Sequence, residues 1–164
     1  MLDKQEMAAY AVAVRALGRR EHCAAELRLK LQQRDYPDEV IASVLERLKA
    51  DGYLSEARFA EAFLRMRLRS GEAPWLAAQK ARARGLEEDA LQEALQDVQD
   101  DFDGFAVCRD LLARRDPQGL RHGDEHVWQR QARFLRNKGF DAATIVRALK
   151  EHIQDNGQAR MLED

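Results

Sequence analysis

The sequence predicts an all-α protein built as three tandem three-helix repeats, stacked into an elongated, curved array. Two observations carry that reading. No segment alternates apolar and polar residues for long, and β-branched residues are sparse, so strands are not expected. One helix–corner–helix unit occurs three times, and a period near 50 residues marks an array of small units.

The clearest copy is LRLKLQQRDYPDEVIASVLERL, residues 27–48. Leu27 and Leu31 lie one above the other on a helix face. Tyr36 marks the corner, and Pro37 suits the first turn of the next helix. Asp38 and Glu39 complement the positive end of its dipole. Val40, Ile41, Val44, Leu45 and Leu48 then follow helical spacing. The same unit returns around Leu86, which lies 50 beyond Tyr36, and around Phe140, 54 beyond Leu86. Relative to the corner, Ile41, Leu91 and Ile145 match, as do Leu45, Leu95 and Leu149. Leu31, Ala81 and Leu135 precede it by five, and Arg34, Arg84 and Lys138 by two. Packing explains the apolar matches but not the basic one.

Each helix has local signals. The first is expected over 3–19, with Asp3 and Glu6 at capping-box spacing and Gly18 as its stop. The second runs from about Cys23 to Arg34, and the third over 37–50, ended by Gly52. Ser55 caps a fourth over 56–70, with Phe59, Phe63, Leu64 and Met66 inward and Gly71 at its end. Pro74 opens the fifth and Gly85 closes it. Glu87, Glu88 and Asp89 lead the sixth. The seventh starts at Asp103 or Gly104 and reaches Arg115, with Phe105, Cys108, Leu111 and Leu112 inward. DPQGLRHG, 116–123, reads as a mobile connector. Asp124 caps the eighth helix, which Gly139 ends, and Asp141 caps a ninth that fades near Asn156–Gly157. The repeats are therefore expected at 1–52, 53–102 and 103–157, with a frayed tail over 158–164.

Bulk composition narrows the function. The 164 residues are 45% hydrophobic and 34% charged, as for a folded chain with many solvated helix faces. The net charge of −2 excludes a general polycation, so a nucleic-acid role must come from local patches. Cys23 and Cys108, the only cysteines, suggest neither a disulfide framework nor a metal site, and a reduced cytosolic chain is expected. There is no apolar run of membrane-spanning length and no signal-peptide pattern.

Catalytic patterns are weak. His122 and His126 are four apart, but Gly123 and Asp124 between them read as a helix start, so solvated histidines are preferred to a metal pair. His22 sits among Arg19, Arg20 and Glu21 and is read as a capping or hydrogen-bonding group. Residues 87–103 hold eight acids and no Lys or Arg, without the ordered ligands and glycine of a calcium loop, so a solvated acidic face is expected. Neither a phosphate-binding glycine loop nor a GxSxG elbow occurs. Trp75 and Trp128 are read as core or inter-repeat anchors; base stacking by them needs exposure.

Positive charge is concentrated in certain helices. Residues 15–34 carry Arg15, Arg19, Arg20, Arg28, Lys30 and Arg34. Further clusters include Arg65 and Arg69, then Lys80, Arg82 and Arg84, then Arg133, Arg136 and Lys138. Most exposed helix charges are ordinary solvated groups. Repetition of a cation two residues before each corner favours a ridge that meets phosphates or an acidic protein groove. The acidic sixth helix must face away from DNA, which suits a nucleoprotein partner better than bare DNA.

Several motifs go further. LGRREHC (17–23), followed by AEL (25–27) and KL (30–31), resembles the opening signature of the bacterial RecX family. DGYLSEARFAEAFLRMR (51–67) and FLRNKGFDAATIVRAL (134–149) are similar to later family segments, in the same order. The resemblance covers about residues 8–152. GEAPWLAAQKARARG (71–85) departs from the family pattern but keeps its proline and its final basic–glycine pair, and Cys23 stands where serine is common. The resemblance implies three tandem three-helix repeats and no catalytic site. It implies a regulator, mainly an inhibitor, of the RecA recombinase that binds the RecA–single-stranded DNA filament along its groove. Filament extension, ATP hydrolysis and strand exchange would be restrained. On this basis the contact residues are expected among Arg19, Arg20, Arg28, Lys30, Arg34, Arg65, Arg69, Lys80, Arg82, Arg84, Arg133, Arg136 and Lys138. A cytoplasmic monomer is expected, with no cofactor, no metal, no membrane contact and weak direct DNA binding. The alternative is a DNA-binding helical-repeat module that acts without RecA.

Overall fold

A computed structural model describes residues 1–117, 119 and 124–163. Most of the connector expected at 116–123, with His122, lies outside these residues, as does Asp164. Among the described residues there are nine α-helices and no strand. In chain order they are α1 (Lys4–Leu17), α2 (Ala24–Gln32), α3 (Asp38–Ala50), α4 (Glu56–Arg69), α5 (Pro74–Ala83), α6 (Glu88–Gln99), α7 (Gly104–Arg115), α8 (Glu125–Asn137) and α9 (Ala142–Glu163).

Local chemistry sets the helix starts. The Asp3 carboxylate accepts from the Glu6 amide, and the Glu6 carboxylate accepts from the Asp3 amide, so the capping box forms in both directions. Ser55 Oγ accepts from the Arg58 amide, and Asp103, Asp124 and Asp141 accept from amides two or three residues on. Pro37 stands one place earlier than expected, as the N-cap of α3.

The three corners are built alike. The Tyr36, Leu86 and Phe140 amides donate to the Leu31, Ala81 and Leu135 carbonyls at 3.2, 3.3 and 3.3 Å. The residue before each corner is left-handed: Asp35 at φ 62°, Gly85 at 84° and Gly139 at 97°. This is a helix end in which backbone amides past the last turn satisfy its free carbonyls. The matched apolar positions agree too. Leu31, Ala81 and Leu135 are fully buried, and Ile41, Leu91, Ile145, Leu45, Leu95 and Leu149 are all buried.

The chain divides into two compact units, Met1–Met66 with Ala77–Gln99, and Arg67–Leu76 with Asp100–Asp164. In the first unit, α1, α2 and α3 enclose one cluster around Leu27, Leu31, Ile41, Val44 and Leu48. A second cluster joins Phe59, Phe63 and Leu64 of α4 to Ala77, Ala81, Leu91 and Leu95. In the second unit, Cys108, Leu111, Leu112, Leu135, Ile145 and Leu149 form the core, with Ala73 among them. Residues 67–76 belong to this unit because the Ala73 amide donates to the Lys138 carbonyl at 2.8 Å and Gly71 approaches the Leu111 side chain.

Three expectations need correction. Met66 is exposed rather than inward. Ala60 and Leu64 turn the buried arc of α4 to the other side of Phe59, and helical spacing then leaves Met66 beyond its edge. Trp75 is exposed rather than in a core, although its indole N–H donates to the Gly139 carbonyl 64 residues away, as an anchor between repeats would; Trp128 is half-buried against the second unit's core. The ninth helix does not stop at Asn156–Gly157 but continues to Glu163. A glycine inside a helix costs about 1 kcal/mol relative to alanine, which weakens a helix without ending it.

A candidate interaction surface

The first unit brings four cations around one cleft. Arg15 lies in the last turn of α1 and Arg19 just beyond Gly18; Lys30 lies in α2 and Arg34 just beyond its end. With Val12 and Ala16 they line a cleft of about 60 Å³, room for about two waters. None of the four forms an ion pair or a side-chain hydrogen bond with a described residue. Converging unpaired cations create a positive potential that a phosphate or carboxylate would relieve.

Lys30 also lines a wider groove, of about 360 Å³, together with Arg20, His22, Ala25, Glu26, Leu29, Gln33, Ala83 and Arg84. Here the charges are paired. Glu26 accepts from Arg20 Nη2 at 2.9 Å and from Arg84 Nη1 at 3.0 Å. Burial pushes the Glu26 carboxyl up, but the Arg20 and Arg84 guanidiniums outweigh it and hold it below the ordinary value. His22 is buried and its Nδ1–H donates to the Arg20 carbonyl, with burial pushing its pKa down. This bears out a hydrogen-bonding role for His22. Leu29 stands exposed on the groove wall.

The other expected contact residues differ in their engagement. Arg28 and Arg65 are exposed in the first unit, without an ion pair to a described residue. Lys80 is half-buried on α5. Arg82 is held to Glu88 by hydrogen bonds of 2.8 and 2.9 Å, and with Gln92 it holds the Glu88 carboxyl down to about 2. Arg69, Arg133 and Arg136 are exposed in the second unit. Lys138 is half-buried there and donates from Nζ to the Ser70 carbonyl at 2.9 Å. The corner cations Arg34, Arg84 and Lys138 thus share backbone geometry but not partners: Arg34 has no ion pair among the described residues, Arg84 meets Glu26, and Lys138 meets a carbonyl.

Two important side chains gave no such signal in the sequence. Glu56 is buried, and its carboxylate accepts from the Ala24 and Glu87 amides at the starts of α2 and α6. Arg58 pairs with Glu21 and donates to the Gly52 and Tyr53 carbonyls. Their partners lie far off in sequence or are backbone atoms, so no motif spacing betrays them. The eight acids of 87–103 are exposed, as expected of a solvated face. Among the described residues there is no cluster suited to a metal ion, and no helix is long and apolar enough to cross a membrane.

Residues 9–48 match the family model described as RecX, first three-helix domain, and residues 55–95 match RecX, second three-helix domain. A protein named Regulatory protein RecX from Halorhodospira halophila is 37% identical over 144 residues, 88% of each chain. Another of that name, from Ectopseudomonas mendocina, is 36% identical over 92% of this chain and 97% of its own. The crystal structure of RecX from Lactobacillus salivarius superposes with a TM-score of 0.70 at 20% identity, covering 92% of this chain and 98% of the other. A second crystal structure, of a regulatory protein RecX, gives 0.68 at 20% identity over 94% of this chain and 80% of the other.

Proposed function

Because the chain belongs to the RecX family, we propose that it is a non-enzymatic regulator of the RecA recombinase. It inhibits RecA by binding the RecA–single-stranded DNA filament in its groove, and so restrains filament extension, ATP hydrolysis and strand exchange. It does so as a cytoplasmic monomer without a cofactor. The observation that carries this reading beyond the family is the α1–α2 cleft, where Arg15, Arg19, Lys30 and Arg34 converge with no carboxylate among the described residues that line it. The acidic α6 lies in the same unit, which favours a nucleoprotein partner over naked DNA.

The contact surface in this reading centres on Arg19, Lys30 and Arg34, with the exposed Arg28 of α2 as a further contact. Arg20 and Arg84 act through the Glu26 groove. Arg65, Arg69, Arg133 and Arg136 are exposed secondary contacts.

The test measures RecA ATPase activity on single-stranded DNA with sub-stoichiometric protein, and DNA binding by the protein alone over a salt series. The reading expects inhibition of the ATPase, with only weak DNA binding at physiological salt. Tight DNA binding with no effect on RecA would instead support a module that acts on DNA alone.

A further inference from the structure

In the second unit, cations and aromatic rings follow one another along a strip. The Arg115 guanidinium lies over the Phe134 ring, with Cζ 4.1 Å from the centroid, and its Nε donates to Gln131 at 2.7 Å. Lys138 Nζ stands 5.8 Å from the centroid of the same ring and donates to the Ser70 carbonyl. The next residue, Gly139, offers its carbonyl to the Trp75 indole N–H at 2.5 Å.

Trp75 is nevertheless 58% exposed. The indole's only polar atom is already satisfied, so what the indole leaves open to solvent is apolar ring. The hydrogen bond holds that ring in place, so little ordering would be lost when a flat partner stacks on it. Unlike Arg20, Arg82 and Arg84, neither cation of the strip is paired with a described carboxylate. Arg115 is held by an amide oxygen and a ring, Lys138 by a carbonyl and the same ring. Their charge is oriented without being neutralised, and Lys138 keeps two of its three N–H donors for another acceptor.

We propose that the strip formed by Trp75, Lys138, Phe134 and Arg115 binds single-stranded nucleic acid, with Trp75 as the platform on which an unpaired base stacks. A strand presents flat bases and phosphates in turn, and the strip presents an open ring and unneutralised cations in turn. An acidic protein segment would satisfy the cations but would leave the fixed indole without a flat partner. The inference deepens the filament reading by assigning this surface to the DNA component of the complex.

The experiment uses the full chain and fluorescent oligo-dT at low salt, read by anisotropy. Trp75→Ala should weaken binding about 5- to 150-fold, the usual range for one stacked base. Trp75→Phe, which loses the indole N–H but keeps a ring, should recover most of that loss. Lys138→Ala should lower the log–log salt slope by about 0.7 for one phosphate on a single strand. In a Trp128→Phe background Trp75 is the sole tryptophan, and its fluorescence should be quenched by oligo-dT. A duplex of equal length should bind both Trp75 forms alike. An unchanged thermal midpoint for Trp75→Ala confirms that the variant is folded. Unaltered oligo-dT binding by Trp75→Ala overturns the proposal, as does equal sensitivity of duplex binding. If the variant binds oligo-dT normally but loses RecA inhibition, the strip contacts protein and the proposal is likewise overturned. The filament reading fails separately: wild-type protein that binds oligo-dT through Trp75 but leaves RecA ATPase untouched would sink that reading and support this one.

Discussion

Glu56 Oε1 accepts the Ala24 amide at 2.6 Å, across 32 residues of sequence. The other oxygen of the carboxylate accepts the Glu87 amide at 3.3 Å. One buried anion therefore sits at the positive ends of two helices, α2 and α6. Since α2 carries Lys30 and leads into Arg34, Glu56 helps to set the position of the basic cleft. Glu56→Ala leaves two amides without their acceptor and should lower unfolding stability by about 2–4 kcal/mol. Glu56→Gln, which keeps one acceptor oxygen, should cost less. Urea unfolding followed by circular dichroism measures both, and a loss below the noise for Glu56→Ala would remove this role.

Glu26 predicts a pH dependence. Its folded pKa lies below the ordinary 4.5, with burial opposed and outweighed by Arg20 and Arg84. A carboxylate with a depressed folded pKa adds stability above its unfolded pKa and loses it as pH falls through the folded one. Wild-type protein should therefore lose stability below about pH 4.5 more steeply than Glu26→Gln, which should be weaker at pH 7 by about 1–2 kcal/mol. Urea midpoints from pH 7 to pH 3 test this, and parallel profiles would contradict it.

The repeated corner predicts opposite effects at equivalent positions. Asp35 holds φ 62° where Gly85 and Gly139 stand in the other copies. Asp35→Gly should be neutral or stabilising, by up to about 1 kcal/mol, because glycine enters the left-handed region without strain. Gly85→Ala should cost about 2 kcal/mol or more, since a Cβ there would lie 2.6 Å from Ala25 Cβ at φ 84°. Thermal unfolding distinguishes the signs.

Pairing state predicts which cations matter to RecA. Arg19→Ala and Arg34→Ala should each raise the concentration for half-inhibition of RecA ATPase by about 3- to 10-fold, as each removes an unpaired charge. Arg82→Ala should change it by less than about 2-fold, since Glu88 already neutralises that guanidinium. Equal losses for all three would show that only total charge counts.

The sequence revealed what is local. The Asp3–Glu6 box, the Ser55 and Asp141 caps and the glycines of two corners act within a few residues, and they lie where the spacing placed them. The threefold match was legible because the same buried positions and the same left-handed step recur. Contacts between distant segments were not legible. Glu26 and Arg84 are 58 residues apart, so the list of cations could be read while their pairing could not. The Trp75 bond to Gly139 spans 64 residues, so its anchored yet open indole was hidden. Met66 failed because one helix turn can bury either edge of an apolar stripe, and only packing decides which.

The placement of the interface on α1 and α2 is tested most directly by hydrogen exchange of the full chain, alone and bound to RecA–single-stranded DNA filaments. Protection should rise over residues 15–34, with little change over the acidic residues 87–99. Protection confined to 87–99, with 15–34 exchanging as in the free protein, would contradict it.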